Sequence, residues 1–109
     1  MSVYSYALLE SANHVLELVL AERQAQQDKW GEQNHPDGTQ NAFAYLADNA
    51  KEVTDREAQR GTLTWAQILL EEFWEAMSET DPEKLQVELV QVAAVAVAWV
   101  EAIRRRTND

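Results

Sequence analysis

Two short stretches of this sequence put acids where helices should bury apolar side chains. The first is Glu71-Glu72-x-x-Glu75, in EEFWE; the second is Glu88 with Gln91, in ELVQ. On a helix turning about 100° per residue, Trp65, Ile68, Leu69 and Ala76 form one apolar stripe. Glu72 falls inside it, and Glu71 and Glu75 run along its edge. In the next segment Leu85, Leu89, Val92, Val95, Ala96 and Trp99 form a second stripe, with Glu88 inside and Gln91 at the edge. An unpaired carboxylate on such a stripe is strongly unfavourable, so it must be protonated, paired or bound to a cation. A turn near Asp81 joins the two segments. At a rise of about 1.5 Å per residue, an antiparallel pair sets Glu75 level with Glu88 and Glu72 level with Gln91. Oxygen donors converging in this way suit a hard cation, Mg²⁺ or Mn²⁺. Glu is common on solvated helix faces, and EExxE alone says little; the coincidence on two apolar stripes is what argues for a site. No His lies three residues from these acids, which argues against a ferritin-like di-iron centre.

A second group of candidates surrounds the longest loop, Trp30 to Gln40, which reads WGEQNHPDGTQ. Trp30 can stack on a base and His35 can bond to one, because loops carry a disproportionate share of binding residues. Lys51, Arg56 and Lys29 can reach phosphates, although a solvated mixed-charge face accounts better for any one of them. His14 sits mid-helix and reads as structural.

Composition removes several other chemistries. With no cysteine, disulfides, zinc-thiolate sites and a Cys nucleophile are excluded. No GxxxxGK[ST] loop is present, so phosphate is not held by a Walker motif. Nothing supports a Ser-His-Asp triad. Nineteen acids against nine Lys and Arg give a formal charge of -10, which repels nucleic acid. A protein so charged needs a bound cation to hold a phosphorylated ligand. The N-terminus has no basic leader region. The most apolar run, Leu89 to Val100, is shorter than the ~20 residues a bilayer requires. The expected compartment is the cytoplasm, with no membrane partner.

The elements that must position these residues are helices. The 109 residues fit one domain, 1–109, and 46% are hydrophobic. Three glycines and two prolines divide the chain into four Ala-, Leu-, Glu- and Gln-rich segments, composition that favours helix. The first helix is expected from Ser5 or Ser11 to about Lys29, and the second from about Gln40 to Arg60, ended by Gly61. Thr64 and Gln67 form a capping box for the third, which runs to about Thr80. Asp81-Pro82 opens the fourth, which runs to about Arg106. Short connections imply an all-α, antiparallel four-helix bundle. The fourth helix is apolar nearly all round from Leu89 to Val100, as a helix buried on every side would be. A chain this size cannot surround one of its own helices, so a second copy should cover it, and the expected assembly is oligomeric through the C-terminal helices.

The acid pattern also resembles a known family. Glu71, Glu72 and Glu75, twelve intervening residues (76 to 87) and then Glu88 are similar to the EExxE…ExxD signature of the MazG-like all-α nucleotide pyrophosphohydrolases. ERQAQQDKWGEQNHP before these acids and VQVAAVAVAW after them resemble short bacterial and phage members. The resemblance implies Mg²⁺-dependent cleavage of a nucleoside triphosphate to a monophosphate and pyrophosphate, in a homodimer or dimer of dimers. It implies that Glu72, Glu75 and Glu88 bind metal and that Glu71 binds a second ion or activates water. It also places Trp30 and His35 beside the substrate. Gln91 stands where the signature has Asp, offering a neutral carbonyl oxygen and one charge fewer. That departure implies an alternative: a catalytically impaired bundle that binds nucleotide or serves as a protein-interaction module.

Overall fold

A computed structural model describes residues 3–107. Among them are four α-helices: α1 (Tyr6–Trp30), α2 (Ala44–Arg60), α3 (Trp65–Met77) and α4 (Pro82–Thr107). A single 3-10 turn, Asn41–Phe43, precedes α2, and no strand occurs among the described residues. The expected second helix from Gln40 is therefore split. Its first turn is tighter than an α-helix, because the Gln40 N–H donates to the Met77 carbonyl at 2.9 Å and holds the chain entry against the end of α3.

Local chemistry sets the helix ends. The Ser5 side chain accepts from the Leu8 N–H and starts α1. Thr64 and Gln67 exchange both bonds of a capping box at the start of α3, at 3.2 and 2.9 Å. That closure satisfies donors which an open helix end leaves unpaired. Gly61 closes α2 in the left-handed region, φ 74°, where a Cβ would be strained. Arg104, Arg105 and Arg106 occupy the last turn of α4, facing its negative dipole end.

The chain divides into two compact units. One runs from Asp37 to Ala96 and contains α2, α3 and the first part of α4. In this unit α2 packs on α3, with Ala50, Ala76 and Leu85 buried. Two of these three are alanines, so helix backbones approach closely there. Phe43, Phe73 and Trp74 add edge-on ring contacts, with centroids 5.8 Å (Phe43–Trp74) and 5.0 Å (Phe73–Trp74) apart. Thr54 Oγ1 donates to the Ala50 carbonyl on its own helix at 2.9 Å. The other unit takes the chain up to Pro36 and from Val97 onward. Here α1 packs on the last turns of α4, with Val15 only 2% exposed.

Much apolar surface is left open. In α4, Val87, Leu89, Val90 and Val100 are exposed, Val90 at 67%; in α1, Leu16, Leu18, Val19 and Leu20 are exposed, Leu20 at 69%. Leu89, on the stripe expected to be core, is among them. By length and composition α4 also qualifies as a membrane span, although it carries Glu88 and Gln91 on the side that meets α3.

Candidate metal centre

The four residues expected to converge do so within the second unit. Glu72 and Glu75 lie one turn apart on α3, and Glu88 faces them from α4. One carboxylate oxygen from each lies within 4.8 Å of the others. All three are half-buried. One side of the Gln91 amide meets only acceptors and the other only donors, so the orientation that satisfies both points its nitrogen at the acids, donating to Glu72 Oε2 at 3.1 Å and Glu88 Oε2 at 3.2 Å. The register across the turn therefore brings Glu72, Glu88 and Gln91 into direct contact.

The electrostatics follow from that crowding. The Glu72 carboxyl is raised above its ordinary value of 4.5, first by burial and then by the charges of Glu88 and Glu71. The Glu75 carboxyl is also raised, by burial first and then by Glu72, Glu71 and Glu88, while Lys51 opposes the shift. Both shifts mean that burial first, and then the neighbouring like charges, disfavour ionisation of the cluster. The donor set fits a hard cation. Octahedral Mg²⁺ with bonds of about 2.1 Å holds its oxygens roughly 3.0 to 4.2 Å apart. A set already within 4.8 Å needs only small side-chain rotations to reach that geometry.

The remaining candidates fall into different places. Glu71 is half-buried beside the cluster but not part of the converging trio. Lys51 is exposed and pairs with Asp55 at 3.6 Å on its own helix, while its charge still acts on Glu75. Arg56 pairs with Glu57 at 4.0 Å. Trp30 and His35 belong to the other compact unit. Trp30 is 57% exposed, with the Lys29 Nζ 4.9 Å above its ring, a cation–π contact. His35 is exposed, with its Nε2 2.9 Å from Gln33 Oε1. Trp74 packs among phenylalanines rather than facing the acids.

Sequence reasoning missed a second polar cluster, in the first unit. Ser11 donates to the buried Glu101, and Arg104 bonds to His14. Its signal was a carboxylate four residues after Val97 in an otherwise apolar run, the same irregularity that Glu88 shows.

No family model, curated protein or solved structure matches the chain. The functional reading rests on the geometry of the acids and on the motif likeness.

Proposed function

We propose that the protein is a Mg²⁺-dependent, Mn²⁺-tolerant nucleoside triphosphate pyrophosphohydrolase of the MazG-like kind. The observation that carries the proposal is the convergence of Glu72, Glu75 and Glu88 from two helices onto one point. In this reading the three carboxylates hold the cation, and Gln91 holds the carboxylates. Glu71, beside them and not engaged in the trio, accepts the proton of the attacking water. Lys51 lies near enough to Glu75 to influence it electrostatically and is assigned to the phosphate chain; Trp30 and His35 are assigned to the base. A bound Mg²⁺ supplies charge neutralisation for the triphosphate and acidifies bound water. The net charge of -10 makes such an ion the natural bridge to an anionic substrate.

Assembly belongs to the same proposal. Several large apolar side chains on α1 and α4 are exposed, as on surfaces that meet a partner, and a homodimer or dimer of dimers through the C-terminal helices would cover them. An antiparallel four-helix bundle in the cytoplasm, with neither nucleic acid nor membrane as partner, completes the reading. Glu88 on the α3 side of α4 makes a lipid environment costly.

One observation favours a second reading. The Gln91 nitrogen, not its oxygen, meets the carboxylates, which suits a bundle that retains the acids but binds nucleotide without turnover, or serves as an interaction module. Pyrophosphate release from a panel of triphosphates, with Mg²⁺ or Mn²⁺, separates the two. No release from any triphosphate refutes the enzyme, and a nucleotide-dependent rise in melting temperature without release selects the binding module.

A further inference from the structure

A cavity of about 230 Å³ in the unit formed by α1 and the last turns of α4 is lined by Ser11, His14, Val15, Glu101, Arg104 and Arg105. It shares no residue with those assigned to nucleotide chemistry and does not depend on that assignment. Val15 and Glu101 are its buried residues, 2% and 9% exposed.

Its charges are arranged unlike those elsewhere in the protein. The salt bridges described all lie on α2. Arg104 bonds instead to the His14 Nε2. An imidazole brings no negative charge, so the guanidinium charge is not cancelled. No described ion pair within 4.0 Å involves Arg105 either. In a chain of net charge -10, two guanidinium groups facing one cavity without a carboxylate pair form a local positive site. The helix dipole accounts for cations at this end of α4, but not for a guanidinium turned to an imidazole across the cavity. Guanidinium groups match tetrahedral oxyanions through paired N–H donors.

Glu101 sets the second requirement. Ionised, it only accepts hydrogen bonds, and Ser11 supplies one. A fully deprotonated anion entering beside it would bring two negative charges together in a partly buried space, where the repulsion is poorly screened. An oxyanion that keeps an acidic proton avoids this cost by donating its O–H to the carboxylate. We infer that the Ser11–His14–Glu101–Arg104–Arg105 cavity binds protonated phosphate and rejects sulfate.

The test is calorimetric titration of the full-length protein near pH 7 in EDTA, so that no metal bridges the anion, with inorganic phosphate and sulfate at matched ionic strength. Phosphate is expected to bind, and sulfate at least tenfold more weakly. Arg104→Gln should weaken phosphate at least tenfold while circular dichroism shows the helices intact. Glu101→Gln should admit sulfate and close the gap, whereas Glu72→Gln should preserve it. Absence of phosphate binding, equal binding of the two ions by the unaltered protein, or full affinity in a folded Arg104→Gln variant overturns the inference. The two-ion comparison needs no variant, so it decides the matter even where Glu101→Gln does not fold.

Discussion

In the unit built on α1, the buried Glu101 is the one acid among the residues that line its cavity. It has a hydroxyl donor in Ser11 and two guanidinium groups lining the same cavity. In the unit built on α2 and α3, three acids crowd together. Their closest neutral donor is one amide, and their nearest noted cation, Lys51, is tied to Asp55. Carboxylates recur on apolar helix faces in both units, but in the first unit Glu101 receives a hydroxyl donor from Ser11. The second leaves Glu72 and Glu75 with raised carboxyls, the pattern of a cluster completed from outside. A carboxylate on an apolar stripe therefore becomes informative only when its partners are counted.

The largest effect expected from this contrast is catalytic. Glu72→Gln and Glu88→Gln should each reduce Mg²⁺-dependent pyrophosphate release by more than the roughly 10–100-fold that follows loss of a supporting contact, with helicity retained. Unchanged release in both variants would remove the metal centre. Assembly comes next. Light scattering at micromolar concentration should give at least twice the mass of one chain, and Val90→Asp should shift the population toward monomer. A stable monomer of the unaltered protein would refute the interface.

Smaller effects sharpen the comparison. Ser11→Ala removes the donor to Glu101 and should cost about 1–3 kcal/mol, by the same amount with and without Mg²⁺, as read from denaturant melts. Gln91→Asp replaces two donated hydrogen bonds with a fourth negative charge. It should destabilise the metal-free protein by on the order of 1 kcal/mol, discounted for exposure, and should bind Mg²⁺ more tightly. Equal Mg²⁺-induced melting shifts in both proteins would detach position 91 from the site. The smallest effect is a pH trend. Carboxyls raised in the folded state hold protons that the unfolded chain has released, so folding is favoured below the ordinary value of 4.5. That contribution is lost as pH rises through the elevated folded values. The metal-free protein should lose stability over that window, and Mg²⁺ should reverse the loss; a flat profile contradicts the raised carboxyls.

Much of this arrangement was legible in the chain. Gly61, the Thr64–Gln67 box and Asp81-Pro82 mark helix ends through local backbone chemistry that needs no tertiary information. The level of Glu72 with Gln91 follows from helix rise and one turn position, and the two side chains lie 3.1 Å apart. The tight turn at Asn41–Phe43 was not legible, because it depends on a bond to Met77, distant in sequence. Nor was the Gln91 orientation, since an amide presents either atom and only its neighbours decide. The pairing of Ser11 with Glu101 spans 90 positions, and no periodicity within either helix encodes it.

Ala76, fully buried one residue after Glu75, carries a consequence for how such a protein can diversify. The loop from Trp30 to Gln40 is mostly solvent-exposed and can accept new side chains at little cost. Position 76 cannot: a larger residue there would overfill the core at roughly 1–3 kcal/mol and push the carboxylate-bearing turn outward. Variation in the ligand accepted would thus accumulate in the loop, while a buried alanine holds the chemistry in place.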